Sequence, residues 1–111
     1  MLNYSFAFLS KFKKDYKEAK KKNHQLDEEF SKFIEDFNHL KGDVVVGTSG
    51  ARKIRMAGAQ KGKCGGYRIY YYFEFESKIY LLRFFAKNIQ EDLSIKEKIE
   101  ITEIIQAIKS R

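Results

Sequence analysis

The sequence contains no proline and only one cysteine, Cys64, among its 111 residues. A lone cysteine cannot form an intramolecular disulfide, and no basic start followed by an apolar run marks a secretory leader, so we expect a reduced, cytoplasmic protein. No apolar run approaches the roughly 20 residues that a membrane-spanning helix needs, which argues against membrane insertion. Neither a Pro/Gly/Ser-rich linker nor a repeat divides the chain, and its length fits one domain over residues 1–111.

Acidic residues are also missing from one long segment. Residues 44–73 hold six of the 22 basic residues and none of the 15 acidic ones, so most of the formal net charge of +7 lies there. An excess of positive charge favours a polyanionic partner such as nucleic acid or an acidic protein. A solvated charge face is the plainer alternative, but so long a segment without an acid favours an anion-facing surface.

Apolar spacing along the chain predicts the order of its elements. Alternation predicts strands at residues 4–8, 52–56, 67–75 and 78–86, and helical spacing predicts helices at 11–22, from Leu26 to before Gly42, and after Ser94. Ser94 and Glu97 form a capping-box signature at the start of the last helix. The order β-α-α-β-β-β-α predicts an α+β domain with a mainly antiparallel sheet of about four strands and helices packed on one face.

Residues that bind metals or nucleotides are sparse. His24 and His39 have no cysteine or second histidine at ligand spacing, which argues against a metal site. Cys64 has no evident histidine partner, so it fits a tolerated loop residue better than a nucleophile. The segment Gly62-Lys63-Cys64 lacks the Ser or Thr of a Walker loop. We therefore expect no metal, no cofactor and no small-molecule ligand.

Two predicted strands carry cations on the face opposite their apolar side chains. Lys53 and Arg55 share one face of the predicted strand at residues 52–56. Arg68 shares a face with Tyr70 and Tyr72 on the predicted strand at residues 67–75. If the strands are neighbours, three cations converge beside two tyrosines, and such a set can clamp a phosphate and stack exposed bases. The alternative is a solvated face whose tyrosines pack on the aliphatic stems of Lys and Arg. The spacing alone leaves both open.

Several segments, taken in order, resemble the HigB branch of the RelE toxin superfamily. They are residues 47–55 (GTSGARKIR), 62–72 (GKCGGYRIYYY), 79–82 (IYLL), 86–88 (AKN) and 91–94 (EDLS). The resemblance covers roughly half the chain directly, and the ordered combination is more specific than any one segment. It implies the same α+β fold, in which helices pack on one face of the sheet and the other face receives RNA.

The resemblance implies a metal-independent endoribonuclease that enters the ribosomal A site, cuts translated mRNA and thereby inhibits translation. In such cleavage the ribose 2′-hydroxyl attacks the adjacent phosphate, so the protein must orient the sugar, accept a proton and stabilise negative charge. The implied partner is a helix-turn-helix antitoxin of the HigA kind, besides mRNA and the ribosome. The residues matched to catalysis are Lys53, Arg55, Arg68 and Lys87, and those expected to bind RNA are Arg52, Lys61, Lys63, Tyr70 and Tyr72.

The chain departs from the RelE pattern near its C-terminal helix. Asn88 stands where RelE has an arginine, and Leu93 and Ser94 offer no counterpart to the tyrosine that serves RelE as a general acid. The proton donor to the leaving group is therefore unassigned. Asp92 either holds a basic side chain in place or merely begins the helical turn with Ser94, and the sequence favours the second interpretation.

Two other functions compete with the nuclease. The same superfamily contains ParE toxins, which inhibit DNA gyrase by binding it, and a non-catalytic RNA- or ribosome-binding module would also use a basic face. The basic residues of the 62–68 segment favour the ribonuclease.

Overall fold

The computed structural model describes residues 3–57, 66–75, 77–90 and 92–111. Within them the elements are β1 (Ser5–Phe8), α1 (Ser10–Lys22), α2 (Leu26–Glu35), β2 (Asp43–Val44), β3 (Arg52–Met56), β4 (Tyr67–Glu74), β5 (Lys78–Ala86) and α3 (Ile95–Lys109). The α+β class and the predicted order of the main elements are confirmed. No helix in this part of the chain is long and apolar enough to cross a membrane.

The strands form one mostly antiparallel sheet in the order β1-β5-β4-β3-β2. β1 runs parallel to β5, with Ser5 opposite Lys78, and the other neighbouring strands pair antiparallel. The described residues thus form five strands where about four were expected. The additional strand, β2, has two residues, too few for alternation to reveal it in the sequence.

One face of the sheet is covered by α1 and α2. Phe12 of α1 and Leu26 of α2 pack against Ile69, Leu81 and Phe84 of the central strands, and all five side chains are buried. The spacing that predicted these helices also supplies the apolar stripe that contacts the sheet. This core therefore forms as the sequence predicts.

The opposite face is partly covered by α3, which corrects the expectation that helices pack on one face only. Ile101 and Ile105 of α3 are buried against Tyr70 of β4 and against Tyr80 and Leu82 of β5. The physical reason lies in β5, whose apolar side chains point to both faces. A strand that is apolar on both faces needs cover on both.

The start of α3 is fixed by the predicted capping box. The Ser94 hydroxyl accepts a hydrogen bond from the Glu97 N–H, and the Glu97 carboxylate accepts one from the Ser94 N–H. This reciprocal pair satisfies two backbone donors at the helix start. It also sets the direction in which the chain enters α3 from the preceding segment.

Candidate functional site

Three cations share one face of the β3–β4 strand pair. Lys53 lies opposite Tyr70 and Arg55 lies opposite Arg68 in the antiparallel register, and directly opposed residues project to the same face. The convergence expected from alternation is therefore present. We call Lys53, Arg55 and Arg68 the cationic cluster.

A carboxylate lies beside this cluster. Oδ1 of Asp92 is 3.6 Å from Nζ of Lys53 and 4.0 Å from Nη1 of Arg68. The Asp92 side chain is 75% exposed, whereas the Lys53 and Arg68 side chains are 35% and 22% exposed. The structure thus favours the interpretation that the sequence ranked second, because Asp92 lies near the charges of the cluster and outside α3, which begins at Ile95.

The backbone of Asp92 is held by the segment that leads into α3. Nε2 of Gln90 donates to the Asp92 carbonyl at 2.8 Å and to Oε1 of Glu97 at 2.6 Å. Burial alone would raise the pKa of Glu97, but hydrogen bonds from Ser94 and Gln90 and the charge of Arg83 hold that pKa below its ordinary value. Glu97 is therefore ionised near neutral pH and anchors the segment.

Arg83 is an important residue that the sequence patterns did not reveal. Its guanidinium donates to both carboxylate oxygens of Asp15 at 2.7 and 3.0 Å and lies 3.4 Å from Oε2 of Glu97. Asp15 also accepts a hydrogen bond from the backbone N–H of Phe84 at 3.0 Å. Arg83 thereby joins α1 to α3 across the end of β5. Its position within an otherwise apolar strand was the signal that could have found it.

Three residues expected to bind RNA contact other parts of the protein. Arg52 is on the opposite sheet face and donates to the Gly42 carbonyl at 2.8 Å. Tyr70 is 1% exposed beneath α3, and burial raises the pKa of its hydroxyl. Tyr72 is half-buried, with Nζ of Lys109 5.9 Å from its ring centre. The cover that α3 provides over this face leaves Tyr70 no ring face for a base, which argues against its expected stacking role, whereas the expected RNA contacts of Arg52 and Tyr72 stay predictions.

A second aromatic ring beside the cluster in the strand register, after Tyr70, is Phe85. It lies opposite Arg68 in the β4–β5 pair and is half-buried. The guanidinium carbon of Arg83 lies 4.5 Å from its ring centre, and Tyr70 packs edge-on against it. The sequence could have indicated Phe85 only once the register of the two strands was known.

The remaining predicted residues lie around the same end of the sheet or outside the described part. Lys87 follows β5, and its N–H donates to the Gly66 carbonyl at 3.1 Å, which extends the β4–β5 ladder toward the end where Arg55 and Arg68 lie. Lys61 and Lys63, together with Cys64, lie outside the described residues.

The two histidines have ordinary structural surroundings. His39 stacks on Phe73 with ring centres 3.8 Å apart, and its Nδ1 is 2.9 Å from the Tyr4 hydroxyl. Burial, assisted by the charge of Arg52, holds the pKa of His39 below its ordinary value. His24 is exposed. In the part of the chain that the structure describes, no group of three or more His, Cys, Asp or Glu side chains is placed to hold a metal ion.

These features define a small basic α+β domain in which three cations share one face of a mostly antiparallel sheet. The family model described as the RelE toxin of the RelE/RelB toxin–antitoxin system matches residues 10–110. Because the match covers nearly the whole chain, the chain belongs to the RelE toxin family and is the toxin component of a toxin–antitoxin system. Toxins of this family pair with antitoxins.

Proposed function

We propose that this toxin is a metal-independent endoribonuclease that cleaves translated mRNA at the ribosome and so inhibits translation. The observation that carries the proposal is the cationic cluster, in which Lys53, Arg55 and Arg68 share one sheet face. RelE family toxins are generally ribonucleases, which agrees with this chemistry. The acid-free segment 44–73, to which all three residues belong, supplies the positive potential that an RNA strand requires.

The reaction that suits these residues is internal transesterification of RNA. The ribose 2′-oxygen forms a bond to the adjacent phosphorus and loses its proton, while the bond from phosphorus to the 5′-oxygen breaks and that oxygen gains a proton. Negative charge builds up on the non-bridging oxygens, where fixed cations lower the barrier. We assign this role first to Lys53 and Arg68, with Arg55 and Lys87 as supporting cations.

RNA contacts around the reacting phosphate are assigned to a revised set of residues. Phe85 replaces the buried Tyr70 as the ring beside the cluster, because it lies opposite Arg68 and is not fully buried, and the half-buried Tyr72 stays in the proposal. Base stacking on an aromatic ring is a common way to hold single-stranded RNA. Lys61 and Lys63 stay in the proposal as phosphate contacts on the strength of their place in the acid-free segment.

We further propose that the antitoxin is a helix-turn-helix protein of the HigA kind, encoded beside the toxin. The family match supports an antitoxin partner, and the HigB-like segments 62–72 and 91–94 support this kind in particular. Such a partner silences the toxin by covering the cationic cluster or by blocking its approach to the ribosome.

The test is primer extension on a reporter transcript incubated with purified toxin and actively translating ribosomes. We expect new 5′ ends within the translated region, and no such ends with the Arg68→Ala variant. A parallel assay of gyrase supercoiling addresses the competing function. Intact transcripts on translating ribosomes would overturn the nuclease proposal, and loss of supercoiling in the parallel assay would then assign the toxin to the gyrase-inhibiting kind.

A further inference from the structure

We propose that Asp92 is a specificity-determining residue of the cationic cluster, because its carboxylate stands where a substrate phosphate must bind. The RNA strand has to displace this carboxylate, so free RNA binds weakly and a strand presented at high local concentration binds well. This inference rests on the proposed function, since it takes the cluster to be the site of phosphate binding.

The first argument is the position of one oxygen. Oδ1 of Asp92 lies 3.6 Å from the ammonium of Lys53 and 4.0 Å from the guanidinium of Arg68. A single anionic oxygen between two cations from neighbouring strands is the arrangement that a non-bridging phosphate oxygen would adopt. Charge-assisted hydrogen bonds are about 2.7–2.9 Å long, so the Asp92 carboxylate attracts both cations without closing a hydrogen bond to either.

The second argument is a comparison with another ion pair of the same molecule. Arg83 and Asp15 make two hydrogen bonds at 2.7 and 3.0 Å, and both side chains are 14% exposed. In that pair the guanidinium donates to both carboxylate oxygens, and the two hydrogen bonds connect α1 to β5. The contacts of Asp92 are longer, and its side chain is 75% exposed. Asp92 therefore occupies the anion position loosely, as a group that a ligand can displace.

The third argument is how Asp92 is anchored. Gln90 holds its backbone carbonyl, and the capping box of Ser94 and Glu97 holds the chain that follows. The carboxylate can therefore rotate away from the cluster while the backbone stays in place. Exposed ion pairs contribute little free energy, so moving the side chain costs little. The repulsion between its charge and the incoming phosphate still opposes binding.

The functional consequence is discrimination between free and presented RNA. A carboxylate beside the phosphate site lowers the affinity for every RNA strand, whatever its sequence. A strand held next to the toxin by another scaffold overcomes this penalty because its effective concentration is high. Asp92 therefore restricts cleavage to RNA that the ribosome presents.

The experiment measures binding of a short, fluorescently labelled single-stranded oligoribonucleotide by anisotropy at low salt. The chains compared are the wild type, Asp92→Asn, and Glu35→Gln, which removes an exposed carboxylate from α2 on the other side of the sheet and matches the change in net charge. We expect Asp92→Asn to bind about fivefold more tightly than the wild type, the factor that one unit charge contributes at about 4 Å in water. Glu35→Gln should bind nearly as the wild type does.

A double variant tests whether the effect acts through the cluster. In Lys53→Ala/Asp92→Asn the gain should be smaller than in Asp92→Asn alone, because one of the two cations that face the carboxylate is gone. A second readout is cleavage of ribosome-free RNA, which should be faster for Asp92→Asn than for the wild type.

Each other result overturns the inference. Equal affinity of Asp92→Asn and Glu35→Gln would show a general charge effect, and weaker binding by Asp92→Asn would make Asp92 a positioning residue for the cations. If neither the wild type nor any variant binds the oligoribonucleotide, the cationic cluster is not an anion-binding site. Cleavage by the wild type on translating ribosomes is measured separately, so failure of the specificity role can be told apart from failure of the proposed function.

Discussion

Arg55 and Arg68 lie directly opposite each other on β3 and β4, so two positive charges occupy one position of the strand pair. Like charges in opposed positions destabilise a sheet, and an anion bound between them lowers that repulsion. The arrangement concentrates positive charge at one position of the sheet. It explains why the cluster is a better candidate for chemistry than the many exposed lysines of α1.

Removing single cations should separate catalytic from supporting roles. We predict that Arg68→Ala and Lys53→Ala each lower the cleavage rate on the order of 10²–10³-fold, since each charge acts on the transition state. Arg55→Ala and Lys87→Ala should lower it less, and Cys64→Ser should leave it nearly unchanged. The measurement is the rate of primer-extension product formation on a translated reporter.

Loss of activity counts only for a folded variant. Each variant should therefore melt cooperatively and still bind the antitoxin. Full cleavage by a folded Arg68→Ala protein would contradict the assignment of the active site.

The antitoxin should cover the cationic cluster. We predict that the product of the adjacent reading frame co-purifies with the toxin at moderate salt, because a toxin with a net charge of +7 attracts an acidic segment. Hydrogen exchange should show new protection in β3, β4 and the start of α3. Protection confined to α1 would mean that the antitoxin instead blocks docking and leaves the cluster open.

The lysines of α1 should bind ribosomal RNA. Lys13, Lys14 and Lys17 are exposed and, among the described residues, have no carboxylate within ion-pair distance, whereas Lys11 pairs with Glu100. Replacing those three with Gln should weaken ribosome co-sedimentation and reduce its salt dependence. Because such lysines contribute little to stability, the melting temperature should hardly change.

The matched control for this prediction replaces three exposed lysines in other places, Lys32, Lys41 and Lys96. It changes the net charge by the same amount. If both triple variants lose ribosome binding equally, α1 is not a specific docking surface.

The Asp15–Arg83 pair should contribute strongly to stability. Asp15→Ala leaves the mostly buried guanidinium with Glu97 alone and removes the acceptor of the Phe84 N–H. We predict a loss of about 2 kcal/mol in the free energy of unfolding, measured by urea titration. Glu18→Ala on the same helix breaks only an exposed pair with Lys21 and should cost less than about 0.5 kcal/mol. Equal losses would contradict the structural role of Arg83.

The ionisation of Glu97 should make the free energy of unfolding depend on pH in the acid range. Its pKa in the folded protein lies below the ordinary value of 4.5 despite burial, because hydrogen bonds and Arg83 favour the charged form. The resulting stabilisation is present above that ordinary value and is lost as the pH falls through the folded pKa. Glu97→Gln keeps a side chain that can complete the capping box. Its unfolding free energy should therefore fall less steeply below pH 4.5 than that of the wild type.

The control for this pH series is Glu103→Gln, which removes one exposed carboxylate from the same helix. Thermal melts from acid to neutral pH provide the comparison. Parallel curves for Glu97→Gln and the wild type would refute the role of Glu97.

Sequence patterns sufficed for the parts of the fold that depend on local spacing. Alternation placed Lys53 and Arg55 on one strand face, and the three-residue spacing of Ser94 and Glu97 was enough to predict the capping box. The burial of Tyr70 could not be predicted in the same way. It depends on which sheet face α3 covers, and this follows from long-range packing of Ile101 and Ile105.

The positions of Asp92 and Arg83 depend on contacts between segments that are distant in sequence. Asp92, in the segment before α3, lies beside Lys53 of β3 and Arg68 of β4, and Arg83 meets Asp15 across 68 positions of the chain. Neither relationship follows from periodicity within one element. The sequence therefore predicted the cations that share this face, and it offered a contact of Asp92 with a basic side chain only as its second interpretation.

The parallel pairing of β1 with β5 has a consequence for how the toxin forms during its own synthesis. Ser5 pairs with Lys78, and Phe12 of α1 contacts Phe84. The strand β1 and the helix α1 can therefore pack only after residues more than seventy positions later in the chain have been synthesised. Closing such long loops slows folding. Nascent chains that end before β5 lack a strand that contributes side chains to both cores. A growing toxin therefore completes its sheet and both cores only after β5 has been synthesised.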